Sequence, residues 1–251
     1  MSKVLDGKVA IITGGSRGLG AVLATTLADQ GADIAIPYAA SADKAESVAE
    51  VVRAKGVRAL AIRCDQADTS AAQPMVEQVV AELGKLDILI NNAAIAVQGK
   101  LVDDPTLDSA AFDRQWMVNV MGTVAITRAA AQKISDGGRI VFIGSGLGTR
   151  AIVPGIADYA GTKAAIAGYA RGVQRDLGPR NITVNVVQPG IMPTDMTGEV
   201  AENFPQAVID MHPIRRIATI EEVAGAVSYL VSPAASYTAG AVIDVSGGVL
   251  V

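Results

Sequence analysis

The chain has 251 residues, half of them apolar and 18% charged, with a net charge of −4 and a pI near 5.1. That balance leaves no electrostatic footprint for DNA or RNA. No run approaches the roughly 18 consecutive apolar residues of a membrane-spanning helix, and the N-terminus carries no signal-peptide pattern. The expectation is one soluble domain over residues 1–251, located in the cytoplasm. A lone cysteine, Cys64, excludes an internal disulfide and argues against a metal site. A lone histidine, His212, with no Gly-x-Ser-x-Gly elbow in a strand-to-helix setting, argues against a serine hydrolase.

The first apolar, β-rich run is 8–13, and Gly14-Gly15-Ser16-Arg17-Gly18-Leu19-Gly20 follows at once. An Ala/Leu-rich helical pattern then runs over 18–30 and stops at Gly31. Strand, glycine loop and helix in that order make the first turn of a dinucleotide-binding unit. Gly14 permits the tight turn, Gly18 lets the backbone approach a pyrophosphate, and Gly20 lets helix and strand pack closely. The second strand, 33–36, ends in Pro37-Tyr38-Ala39-Ala40-Ser41, and helix 41–55 follows. Strand 57–63 leads to Cys64, expected to be a small buried hydrophobe, and then to Asp65 and Gln66. Helix 68–83 and strand 86–90 come next, the strand running into Asn91-Asn92-Ala93-Ala94.

A single helix is predicted over 111–134. Asn119 sits inside it, and because asparagine is a poor interior residue its place suggests a purpose or a local bend. Strand 139–144 delivers Ser145, helix 157–177 carries Tyr159 and Lys163, and strand 182–188 ends at Pro189-Gly190. The stretch 191–218 shows no strand pattern, and His212 within it is expected at the surface or a pocket rim. Loops that long in compact domains are usually functional. Helix 219–231 and strand 241–245 close the chain. This alternation predicts an α/β, doubly wound, Rossmann-like parallel sheet of about seven strands with helices on both faces.

Tyr159 and Lys163 are four residues apart, so one helical turn places phenol and ammonium on the same face. A nearby cation favours phenolate and is expected to lower the tyrosine pKa by roughly 1–3 units, towards the range of a general acid or base.

Thr13-Gly14-x3-Gly18-x-Gly20, Asn91-Asn92-Ala93-Ala94, Asn119, Ser145, Tyr159-x3-Lys163 and Pro189-Gly190 together resemble the short-chain dehydrogenase/reductase family. They are most similar to its 3-oxoacyl-carrier-protein reductases and carbonyl reductases. The likeness runs from Lys3 to about Gly248. One departure is Ala94, where the family has glycine beside the cofactor. The resemblance implies that Ser145 hydrogen-bonds the carbonyl oxygen and that Tyr159 is the general acid. It implies that Lys163 also holds the nicotinamide ribose and that Asn119 positions a water linking Lys163 to solvent. It further implies a lid at 191–218 and a homotetramer. Apolar residues on more than one face of helices 111–134 and 157–177, and an apolar Val249-Leu250-Val251 tail open to burial between subunits, agree with the tetramer.

Implied cofactor contacts are Gly14, Ser16, Arg17, Gly18, Leu19, Gly20, Tyr38, Ala39, Ala40, Ser41, Asp65, Gln66, Asn91, Ala93, Tyr159, Lys163, Pro189, Gly190, Ile191 and Thr194. For Asp65 and Asn91, turn and strand-end capping is the competing reading. Asp33 lies at the wrong end of its strand to hold a ribose, and Tyr38 stands where NAD-type members carry aspartate. Without that carboxylate, Arg17, aided by Ser41 and Lys44, suits a 2′-phosphate. This favours NADPH/NADP+ over NAD+/NADH, with a merely solvated Arg17 as the alternative. The expected partner is a small carbonyl or alcohol substrate, with no nucleic acid and no membrane. Pocket candidates are Ala96, Val97, Leu147, Ile152, Met192, Met196 and Phe204. Arg150, Arg215 and Arg216 are a possible basic patch for an acyl carrier. An NAD-dependent alcohol dehydrogenase and a non-catalytic dinucleotide sensor stand as alternatives. Enoyl reductases are disfavoured because their tyrosine–lysine spacing is wider.

Overall fold

A computed structural model describes residues 3–196 and 206–250. Seven strands form one sheet: β1 Val9–Ile12, β2 Asp33–Tyr38, β3 Ala59–Arg63, β4 Leu86–Asn91, β5 Ile134–Ile143, β6 Thr183–Pro189 and β7 Val242–Val245. Their order is β3-β2-β1-β4-β5-β6-β7, and every pairing is parallel. The helices are α1 Gly18–Asp29, α2 Ala42–Arg53, α3 Ala72–Leu83, α4 Ser109–Trp116, α5 Thr123–Lys133, α6 Ala157–Leu177, α7 Gln206–Ile209 and α8 Ile220–Val231.

Strand alternation divides the core in two. Ala10 and Ile12 pack with α1, α2 and α8, whereas Val9 and Ile11 pack with α3, α5 and α6. A strand covered on both faces has no polar side to show, which is why β1 reads as an unbroken apolar run. In α6, Tyr159, Thr162, Lys163, Ile166, Ala167, Ala170 and Val173 are buried, a helical stripe that turns Tyr159 and Lys163 inward together. No helix among the described residues is long and apolar enough to cross a membrane.

Two elements differ from the sequence expectation. The helix expected over 111–134 is interrupted by a π-helical turn, Met117–Gly122, between α4 and α5. Asn119 lies in that turn, so the helical register shifts where its side chain leaves the helix. Gly122 makes the turn possible, since a Cβ there would collide with the Gln66 backbone carbonyl. β5 begins earlier than expected, at Ile134, and its register with β4 shifts between Leu86 and Ile88.

In a parallel sheet all strand C-termini lie on one edge. The order turns outward in opposite directions from β1 and β4, and the crevice opens between them. Of the 191–218 stretch, residues 197–205 lie outside the described residues, while 206–209 form the short helix α7.

Candidate active site

The crevice is a cleft of 690 Å³ along the C-terminal edge of the sheet. One end is the glycine loop. Gly14 adopts φ 65°, and a Cβ there would lie 2.9 Å from Ala93 Cα. A Cβ on Gly20 would collide with the Gly14 carbonyl, so the loop folds tightly only with glycine at both positions. Arg17, at the N-cap of α1, makes no side-chain cap bond, and no acidic residue stands in the first turn. The N–H groups and the positive end of the helix therefore face the cleft uncompensated, a cradle for an anion. The loop is tied to β4 by Thr13, whose Oγ1 accepts from the N–H groups of Asn92 and Ala93 at 3.0 Å each. Asn92 Nδ2 donates to the Thr13 carbonyl at 2.9 Å.

Arg17 is exposed and pairs with Asp195 at 3.4 Å. Such a pair contributes little, so a doubly charged phosphate can displace it. Tyr38, Ala39, Ala40 and Ser41 line this end of the cleft, and Lys44 does not. Asp33 lies at the opposite end of β2, bound to Arg58 at 2.7 Å.

Asp65 also borders the cleft, with Arg114 beside it at 3.1 Å. It caps its own turn through the Ala67 N–H at 3.0 Å. That backbone bond, with Arg114, holds its carboxyl below the ordinary range. Gln66 is buried, and its Nε2 donates to the Val118 carbonyl at 2.7 Å, joining the end of β3 to the π turn.

At the centre stand Ser145, Tyr159 and Lys163. Ser145 caps a short turn by accepting from the Leu147 N–H at 3.2 Å, and its hydroxyl favours ionisation of the Tyr159 phenol. Lys163 Nζ donates to the Ile143 carbonyl at 2.9 Å and lies 5.7 Å from the Tyr159 ring centroid. The expectation that Lys163 lowers the tyrosine pKa is overturned. Burial pushes the phenol up to about 12, against a smaller opposing effect of the Ser145 hydrogen bond. Burial likewise pushes the Lys163 ammonium down to about 8. Desolvation outweighs the charge of a neighbour that is itself desolvated and turned to a carbonyl. At neutral pH the phenol keeps its proton and is an acid.

Of the residues named from sequence for catalysis and cofactor contact, all but Asn91 and Asn119 face the cleft. Asn91 Nδ2 donates to Thr127 Oγ1 at 3.0 Å, on the far face of β4, so the cleft-facing member of the pair is Asn92. Asn119 is fully buried. It clamps Ile95 through both backbone groups at 2.9 Å and donates to Thr162 Oγ1 at 3.2 Å. It thereby ties the loop after β4 to α6 one residue from Lys163.

The remaining end is apolar. Leu147, Ile152, Met192 and Met196 line it as expected, Ala96 and Val97 do not, and Phe204 lies outside the described residues. Val249 and Leu250, expected between subunits, line the chain's own cleft, with Leu250 against Gly146; Val251 lies outside the described residues. The basic patch does not assemble. Arg150 reaches the rim, but Arg216 is taken up by Glu222 at 2.6 Å and Arg215 is not on the wall. His212 is buried and faces the cleft.

Sequence reasoning missed Cys64, Arg114, Gln98, Val249 and Leu250 as wall residues, and it expected His212 at the surface or a pocket rim. Cys64 was findable, because it follows β3 at the binding edge of the sheet. Burial raises its thiol to about 11, and it is unreactive there. The others reach the cleft only through long-range folding.

A family profile described as enoyl-(acyl carrier protein) reductase matches residues 14–250. The chain is 37% identical over 256 residues to versicolorin reductase 1 of Aspergillus parasiticus, covering 97% of each chain. It is 35% identical over 243 residues to the 3-oxoacyl-acyl-carrier-protein reductase of Staphylococcus aureus, covering 96% of this chain and 97% of the relative. Its fold superposes with a TM-score of 0.92 on a short-chain dehydrogenase from Burkholderia cenocepacia solved in complex with NADP. The two share 42% identity over 99% of this chain and 100% of the other.

The buried ammonium has a consequence for stability. Lys163 is lowered from 10.5 to about 8 on folding, so between those values the unfolded chain binds more protons and stability rises with pH. Cys64, raised from 9.0 to about 11, acts in the opposite sense from pH 9 upward. The difference between wild type and Lys163→Met isolates the lysine. Denaturant unfolding should show wild type gaining about 2 kcal/mol on the variant between pH 8 and 10. A pH-independent difference would contradict the desolvated lysine.

Proposed function

The chain belongs to the short-chain dehydrogenase/reductase family, and from that premise we propose that it reduces a small ketone to the alcohol using NADPH. The observation that carries this reading is the meeting of Ser145, Tyr159 and Lys163 in one cleft that ends at the glycine loop. When bound, the reduced nicotinamide supplies a hydride to the carbonyl carbon. Negative charge then develops on the carbonyl oxygen. Ser145 donates a hydrogen bond to that oxygen, and Tyr159 transfers its proton to it. Lys163 holds the nicotinamide ribose and, while charged, favours the phenolate left behind; solvent then restores the proton. Asn119 acts through the backbone it clamps, fixing the loop opposite α6.

The cradle fits an anionic dinucleotide. Open helix N–H groups face the pyrophosphate position, and Arg17 with Ser41 faces the 2′-phosphate position. Neither Tyr38 nor the residues next to it bring a carboxylate to repel that phosphate. The NADP-bound Burkholderia relative supports the same choice. The profile's description names an enoyl reductase, but the four-residue Tyr159–Lys163 spacing and the Ser145 hydrogen bond favour a carbonyl substrate. Exposed Met117 and Met121 in the π turn, and the small exposed residues Ala164, Gly168 and Gly172 of α6, support a homotetramer. The cytoplasm is the proposed location.

Mixing the protein with NADPH and a ketone panel should deplete the reduced nicotinamide absorbance. Tyr159→Phe keeps the ring but removes the proton, and turnover should fall about 10²–10⁴-fold with little change in NADPH affinity. Near wild-type turnover would mean the proton comes from elsewhere. Arg17→Ala removes a charge-assisted contact contributing about 1.5–3 kcal/mol, so NADPH affinity should drop roughly tenfold to a hundredfold and NADH affinity hardly at all. Equal losses would remove Arg17 from the phosphate site. Light scattering should give the mass of four copies, and a monodisperse monomer would end the tetramer proposal.

A further inference from the structure

Among the described residues, the apolar end of the cleft contains a buried polar side chain that the chemistry does not use. His212 is 3% exposed and forms part of the cleft wall. Its Nδ1 lies 2.9 Å from the Val208 carbonyl oxygen, which can only accept, so Nδ1 carries the hydrogen. In the neutral ring this leaves Nε2 as a bare acceptor. Nε2 has no hydrogen-bond partner among the described residues, and the ring forms part of the cleft wall.

Backbone hydrogen bonds brace the segment that carries the ring. The His212 N–H donates to the Ile209 carbonyl at 3.0 Å, and the Ile214 N–H donates to the Gly247 carbonyl at 3.0 Å. Gly247 and Gly248 turn at φ 65° and 86°. A Cβ on Gly248 would lie 2.9 Å from Pro213, so the glycine lets the C-terminal segment lie flat on 212–214. The segment then carries Leu250 to Gly146, beside Ser145. His212 and the reacting groups thus share one apolar chamber, bounded by Leu147, Met192 and Leu250.

We propose that His212 is a substrate-recognition residue, and that the preferred ketone carries a hydroxyl whose hydrogen bond Nε2 accepts inside this chamber. The proposal rests on the carbonyl-reductase reading and deepens it. A buried acceptor discriminates strongly, because a substrate lacking the donor leaves it unpaired, whereas apolar walls discriminate weakly.

The test compares ortho-, meta- and para-hydroxyacetophenone with the matching methoxy ketones, which have similar electronics but no donor. Wild type should turn over at least one hydroxy ketone with kcat/KM about tenfold above its methoxy partner, expressed in KM because the hydroxyl is remote from the reacting carbon. In His212→Asn, whose amide can still reach Val208 but cannot occupy the Nε2 position, the ratio should fall to about one. His212→Gln, which can place an amide oxygen near that position, should restore part of it. Both variants should keep wild-type NADPH affinity, and the hydroxy-to-methoxy ratio within each variant is the readout. An unchanged ratio in His212→Asn would overturn the assignment, as would a His212-dependent preference for para-carboxyacetophenone, which would make Nε2 a donor. Failure of wild type to reduce any ketone would instead overturn the underlying reading. Reduction without donor preference would overturn only this inference.

Discussion

The site depends on an ammonium taken out of water. Lys163 is almost wholly buried, its Nζ held by the Ile143 carbonyl at the end of β5. One bond to a neutral carbonyl does not replace hydration, so the folded chain bears the cost of a charge in a low-dielectric setting. The same dry environment keeps the Tyr159 phenol protonated. A lysine near 8 and a phenol near 12 leave both protons in place at neutral pH, the state an enzyme needs to deliver a proton to a developing alkoxide.

Holding those two side chains still is the work of the surrounding backbone. α6 presents them on one stripe, and Thr162 between them meets Asn119 from the π turn. The extra residue of that turn moves the Asn119 side chain out of helical register and towards Ile95, which an uninterrupted helix would not do. Gln66 braces the turn from the end of β3. The loop after β4, the π turn and α6 are therefore one hydrogen-bonded unit under the reacting centre. The glycine loop is joined to it through Thr13 and Asn92.

Much of this was legible in the sequence. Parallel strands buried on both faces read as unbroken apolar runs, and glycines mark where backbone meets backbone, so the sheet, the loop and the Tyr159–Lys163 turn were found directly. Misreadings came from quantities a linear pattern lacks. Spacing places a cation beside a phenol but does not report how dry the pair is, and dryness reversed the predicted shift. Asn91 and Asn92 are neighbours in sequence yet face opposite sides of a strand end, so a one-residue difference decides which meets the cleft. One added residue in a π turn leaves little trace in an apolar period, although Asn119 flagged it. His212 and the Leu250 tail reach the cleft through contacts of Gly247 with Ile214, Gly248 with Pro213 and Leu250 with Gly146, which no local signal encodes.

The central claim is that burial, and not the neighbouring charge, sets the proton inventory of the site. Tyrosine labelled with ¹³C at the ζ position reports ionisation directly by NMR, and Tyr159→Phe assigns the Tyr159 signal. In the ligand-free protein, Tyr159 should remain mostly protonated beyond the ordinary tyrosine value of 10.0, consistent with a midpoint of about 12. A midpoint below 10.0 would show that the Lys163 charge outweighs desolvation at the phenol, and would contradict burial as the origin of its protonation.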